Sequence, residues 1–242
     1  MFAESATSAS PVDPRLVTIA NPRSFEADQF RRLRQRIEER AEGRSIRSIA
    51  VTSAVAGDGK TVVAVNLAVS LARGARVLLV DADLRRPKVG STLGLPQRQQ
   101  DLVAAVRSAA TSVSPFVRRV SGSSLEVLAT DAPIDDPYEF LTSRAFTALM
   151  AHARETYEMI VVDTAPVLPV PDTGLLKRVV DGYVVVISAN STPRKLVGEA
   201  LNTLDPSSVI GLVFNRDADP MFGYYGGYKS YFQGPASARP SA

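Results

Sequence analysis

Cysteine is absent from the 242 residues, which excludes disulfides, thiolate metal sites and iron–sulfur clusters as organising principles. Histidine occurs once, as His152 in the helical stretch AFTALMAHARE, far from every motif described below, and reads as a surface residue. No apolar run approaches the roughly 20 residues that a membrane-spanning helix needs. The longest, around Val77 to Val80 and Tyr183 to Ile187, are strand-sized. The N-terminus shows no basic patch followed by an apolar signal core, so a soluble, cytoplasmic protein is the expectation. Charge of one sign is not in excess either. The 28 basic and 25 acidic residues leave a formal net charge of +3, a weak basis for nucleic acid or anionic lipid, and no nucleic-acid partner is expected.

What is present is enough apolar side chain, 45% of the residues, to bury one sizeable core. Residues 1 to 23 mix Ser, Pro and Ala and read as an irregular arm. SFEADQFRRLRQRIEERAEG then carries a helix signature: Ser24 as cap, Glu26 and Asp28 at the positive end, Gly43 as stop. Phe30, Leu33 and Ile37 form one apolar stripe on that helix, with arginines over the remainder. From Ser48 onward the pattern becomes six short apolar runs, RSIAVTSA, ARVLLVDAD, SLEVLAT, MIVVDTAP, GYVVVISA and SVIGLVFN, separated mostly by helix-length segments. Strands apolar throughout are covered on both faces, so the expected fold is α/β, three layers with a mostly parallel central sheet and helices on both faces. The divisions are 1–47 for arm and Arg-rich helix, 48–220 for the nucleotide domain and 221–242 for a mobile tyrosine-rich tail.

The first strand runs straight into TSAVAGDGKT and a following helix, the order that a phosphate cradle requires. Gly57 and Gly59 let backbone amides approach phosphate oxygens, Lys60 supplies a point charge, and the Thr61 hydroxyl suits a magnesium position at a helix N-terminus. Ala54 stands where such loops usually begin with glycine, and the bland alternative is an ordinary glycine turn. The loop residues Ala56, Gly57, Asp58, Gly59, Lys60, Thr61 and Val62 are the expected nucleotide contacts. Asp81 and Asp83 in VLLVDADLRRP, and Asp163 in IVVDTAP, each follow an apolar strand at the sheet's carboxyl edge. Carboxylates there suit magnesium directly or through water, and one of them suits a base; a lone aspartate in such a place is more often a cap. Asn215 ends the last strand, where its amide suits either an adenine edge or a turn.

With these motifs in hand, the chain resembles the bacterial tyrosine kinases of capsule and exopolysaccharide synthesis, over roughly residues 25 to 231. The resemblance rests on TSAVAGDGKT, VLLVDADLRRP, IVVDTAPVLPVPD and the cluster Tyr224, Tyr225, Tyr228 and Tyr231 in MFGYYGGYKSYFQG. Related partitioning and division-site ATPases carry a lysine where this chain has Val55. The family's Glu-x-x-Arg-x-x-Arg ring-forming motif is matched by Asp28, Arg31 and Arg34.

The resemblance implies ATP and Mg²⁺ as cofactors and the tail tyrosines as substrate, phosphorylated in trans within a ring-like homo-oligomer. A tyrosine hydroxyl, with a pKa of about 10, benefits from a proton acceptor, for which Asp81 is the choice. Asp83 and Asp163 then hold magnesium with Thr61, and Arg85 or Arg86 assists. The family also implies an activating partner, the cytoplasmic tip of a transmembrane polysaccharide co-polymerase, and peripheral recruitment to the inner membrane face. Two other readings remain open at this point: a nucleotide-binding regulator of polysaccharide export without catalysis, and a positioning ATPase.

Overall fold

The computed structural model describes residues 11–43 and 45–217; the tyrosine cluster at 224–231 lies outside the described residues. Seven strands are present among them: β1 Ser48–Ser53, β2 Val77–Ala82, β3 Arg118–Arg119, β4 Glu126–Leu128, β5 Met159–Thr164, β6 Gly182–Ser188 and β7 Val209–Asn215. The helices are α1 Val17–Ala20, α2 Phe25–Glu42, α3 Lys60–Leu71, α4 Val89–Thr92, α5 Leu102–Arg107, α6 Pro137–Thr142, α7 Arg144–Thr156, α8 Asp172–Leu175 and α9 Arg194–Thr203.

Each of the six apolar runs forms a strand, and the sheet order is β3-β4-β2-β5-β1-β6-β7. All pairs are parallel except β3 with β4, the edge pair that closes the sheet on one side. Because side chains alternate along a strand, Leu78, Val80, Ile160, Val162 and Val185 pack under α5 and α7. Val77, Leu79, Val161, Val184 and Val186 pack under α3. Two apolar layers on opposite faces of one sheet make the three-layer α/β architecture, a P-loop NTPase arrangement.

α3 is buried along nearly its whole length, which explains why its sequence shows no polar face. It lies between the sheet and α2, whose Ile37 is 2% exposed and whose Phe30 and Leu33 pack against the same layer. Ser24 caps α2 by accepting from the Ala27 N–H, and Gly43 follows its last turn, as the pattern indicates.

The N-terminal arm departs from the irregular segment that its composition suggests. Leu16 is fully buried and residues 17–20 make one helical turn. The buried Asn66 of α3 explains the order: its Oδ1 accepts from both the Thr18 N–H and Oγ1–H, and its Nδ2 donates to the Arg15 carbonyl. A buried amide left unpaired costs roughly 1–3 kcal/mol, so Asn66 and the arm hold each other in place.

Candidate active site

Parallel pairing brings distant motifs to one edge. The register of β2 with β5 sets Asp81 opposite Asp163, and that of β1 with β5 sets Val51 opposite Asp163, so the loop after β1 rises beside both carboxylates. Gly57 and Gly59 have φ of 98° and 93°, the left-handed region that glycine adopts without strain. A Cβ on Gly59 would also collide with the Asn215 amide. No side chain caps the first turn of α3, so its amides are open to an anion.

Lys60 Nζ donates to Asp83 Oδ2 at 2.6 Å and stands 4.0 Å from Asp163 Oδ1. Thr61 Oγ1 donates to Asp163 Oδ2 at 2.7 Å, while Asp163 Oδ1 is buried without any hydrogen-bond partner. Asp81 is fully buried, with Oδ2 accepting from the Lys88 and Val89 amides at 3.0 and 2.9 Å and Oδ1 accepting from the Asp83 amide.

One lysine therefore faces three carboxylates. Burial and the neighbouring Asp163 charge raise Asp81 well above the usual carboxylate range. Burial also pushes Asp163 up to about 6, against the pull of Lys60 and Thr61. For Lys60, burial alone would lower the pKa, but Asp163 and Asp83 outweigh it and hold it above the ordinary lysine value. The centre is short of positive charge, and the free Oδ1 of Asp163 beside the Thr61 hydroxyl fits a hard, oxygen-seeking cation. Among the described residues no group of three or more acidic, His or Cys side chains is placed to enclose a metal by itself. That suits a cation completed by water and phosphate oxygens rather than an all-protein cage.

Beside the loop lies a cavity of about 230 Å³ walled by Val55 to Asp58 on one side and by Ser188, Ser191, Thr192, Pro193 and Arg216 on the other. Thr192 Oγ1 donates to Asp58 Oδ1 at 2.6 Å, and Asn215 Nδ2 donates to the Asp58 carbonyl at 2.8 Å. The ends of β6 and β7 thus clamp the loop from the side.

A family model for an AAA domain matches residues 46–205. The chain is 32% identical over 230 residues to the tyrosine-protein kinase YwqD of Bacillus subtilis, covering 93% of this chain and 96% of that one. This chain belongs to the bacterial tyrosine kinase family. The kinase is also 30% identical to the succinoglycan biosynthesis transport protein ExoP of Rhizobium meliloti, over 83% of its own length but 26% of ExoP. The crystal structure of the chimerical protein CapA2B2 superposes with a TM-score of 0.78 at 27% identity, covering 86% of this chain and 93% of that one. The protein is a tyrosine kinase of the capsule and exopolysaccharide group, built on a P-loop ATPase fold.

Within this kinase the structure brings together Lys60, Thr61, Asp81, Asp83 and Asp163. Asn215 sits against the loop backbone. Arg85 is occupied: its Nε and a terminal nitrogen hold the buried Asp172 at 2.7 and 3.1 Å, linking the second motif to the end of the third. Arg86 is exposed. Asp28 and Arg31 pair with each other on α2, whereas Arg34 donates to Glu38 at 2.7 Å and to the Ser70 carbonyl at 3.0 Å, fastening α2 to α3. Ser188, Thr192 and Arg216 escape a motif search because they are single polar residues, Ser188 at the end of β6 and the other two in the bends that follow β6 and β7. Their position after strand carboxyl ends, where open α/β sheets bind ligands, is the signal that marks them.

Proposed function

We propose that the kinase transfers the γ-phosphoryl group of ATP to the tail tyrosines Tyr224, Tyr225, Tyr228 and Tyr231 of a neighbouring copy. The observation that carries this reading is the cation-short cluster of Lys60, Thr61, Asp83 and Asp163 at the mouth of the phosphate loop, with Asp163 Oδ1 unpaired. In this reading Ala56 to Val62 cradle the phosphates, and Asn215, whose Nδ2 serves the loop, offers Oδ1 to the adenine amine. Thr61, Asp83 and Asp163 would hold Mg²⁺, which when bound supplies charge neutralisation at the phosphates. Lys60 exchanges Asp83 for a phosphate oxygen.

Asp81 is the proton acceptor in this reading. Its burial and the nearby Asp163 raise its affinity for a proton, which suits removal of a phenolic hydrogen. Because the Lys88 and Val89 amides hold its Oδ2, the turn at residues 83–89 must yield as the phenol arrives. Self-association through the α2 face that carries Asp28 and Arg31, with Arg34 bracing the helix, presents one tail to the next active site. A transmembrane partner of the polysaccharide co-polymerase class activates the kinase and recruits it to the inner membrane face. Among the described residues no helix is long and apolar enough to cross a membrane.

Intact mass and peptide mapping after incubation with Mg·ATP test the reading, alongside Lys60→Met and Asp81→Asn. Phosphate on Tyr224 to Tyr231 in the wild type alone is the expected result. An unmodified tail in the presence of a co-polymerase tip would overturn it.

A further inference from the structure

At the β3–β4 edge of the sheet, separated from β1 by β2 and β5, a cavity of about 480 Å³ is walled by four arginines, Arg76, Arg98, Arg118 and Arg119. That volume lies within the ordinary range for a small-molecule pocket. Asp131 builds the wall: its carboxylate accepts from both terminal nitrogens of Arg118 and, at 2.8 Å, from the Arg98 backbone N–H. The Pro96 carbonyl also accepts from Arg118, at 3.1 Å. Arg118 is 3% exposed, and its Nε is buried without a hydrogen-bond partner among the described residues. A buried guanidinium donor left unpaired is costly, and a ligand oxygen accepting from it removes that cost. Asp131 and Glu126 match two of the four positive charges, those of Arg118 and Arg119. Arg76 and Arg98 have no carboxylate partner and no hydrogen bond to their guanidinium groups among the described residues. Arg76 lies over the Tyr157 ring, 5.7 Å from its centroid. Leu95, Pro96 and Val117 add an apolar side to the same cavity.

We propose that this cavity binds a small organic phosphomonoester, its phosphoryl oxygens on the guanidinium groups and its carbon body against Leu95, Pro96 and Val117. Two unmatched positive charges call for a dianion. A phosphomonoester carries roughly −1.5 to −2 charges at neutral pH and three acceptor oxygens, whereas a carboxylate brings a single charge. Planar guanidinium groups meet such oxygens two at a time. Inorganic phosphate would satisfy the charges but leave the apolar side bare and most of the volume unfilled. A sugar phosphate and a nucleoside monophosphate share the required chemistry, an ionised phosphoryl group on a ring-sized body. The site is separate from the nucleotide site, since none of Ala56 to Val62, Asp81, Asp83 or Asp163 belongs to its wall.

Isothermal titration calorimetry on the full chain, with the phosphate loop kept saturated by Mg·ADP, tests the proposal with glucose 1-phosphate, uridine monophosphate and inorganic phosphate as probes. At least one of the two organic phosphates is expected to bind once per chain, at least roughly tenfold more tightly than inorganic phosphate. The tighter of the two identifies the source as a sugar phosphate or a nucleotide. Arg98→Ala removes an exposed guanidinium but keeps the backbone N–H that Asp131 holds, and should weaken this binding about tenfold. Arg36→Ala, the same charge change on the exposed face of α2, should leave it unchanged. Equal affinity for inorganic phosphate would mark an adventitious ion only and overturn the proposal. Binding that survives Arg98→Ala, an equal loss in Arg36→Ala, or no binding of either organic phosphate would do the same.

Discussion

Lys60 is the residue on which the rest of the site leans. It is the cation that faces Asp83 and Asp163, and neither carboxylate lies at a surface that water can relieve. Removing one partner of a buried pair is costlier than the pair is favourable, because the other charge remains without compensation. Lys60→Met is therefore expected to lower the stability of the nucleotide-free protein by about 3 kcal/mol, measured by urea unfolding, as well as to reduce autophosphorylation at least roughly a hundredfold. Equal unfolding midpoints would mean that the carboxylates are already neutral and that the lysine is not balancing them. At this scale the sequence is legible where chemistry needs a run of residues: TSAVAGDGKT names its own loop. It is mute where one side chain closes a long-range contact. Nothing near Asp58 indicates that Thr192 and Asn215 will hold it, because those partners arrive from β6 and β7 through the topology.

The elements divide in the same way. β1, β2, β5 and β6 are legible because burial on both faces demands unbroken apolar runs; β7 carries the same apolar run yet lies at the sheet edge with Leu212 and Phe214 exposed, so its coverage on both faces is not as the run suggests. β3 is two arginines, and it exists through its pairing with β4 rather than through propensity. α1 hides in a segment with a single fully buried leucine, too short for a period to emerge. The β4 edge is joined to the C-terminal end of α7 by Tyr157, whose hydroxyl donates to Glu126. Burial acts to raise Glu126, yet the hydrogen bonds from Tyr157 and Arg119 outweigh it and hold the carboxyl below its ordinary 4.5. A depressed folded-state value stabilises the fold above 4.5 and ceases to do so as pH falls through the lower value. Glu126→Gln should accordingly be less stable than the wild type at pH 7, by about 1 kcal/mol, with the gap closing as the pH drops below 4.5. Parallel chemical-denaturation series across that range would show it; a gap that is constant with pH would contradict it.

For the molecule as a whole, nucleotide acts as a folding ligand. In the proposed function its contacts would come from β1, α3, β2, β5 and the turn after β6, elements that meet only in the complete sheet. At a hundred times its dissociation constant, Mg·ATP should add about 2.7 kcal/mol, read as a rise of roughly 5–10 °C in the unfolding midpoint by scanning calorimetry. Chelating the magnesium should remove most of that rise, and a rise untouched by chelation would detach Thr61 and Asp163 from cation binding. The pairing of Asp81 with Asp163 also has a bearing on biogenesis. β2 and β5 are far apart in the chain, and a parallel ladder of that kind closes slowly because its long loop must be ordered first. While β5 is still within the ribosome, the nascent chain already has its phosphate loop but lacks Asp163 and both sheet neighbours of β1, so a translation product truncated before residue 163 would carry its glycine loop on an unpaired strand, inert towards tyrosine.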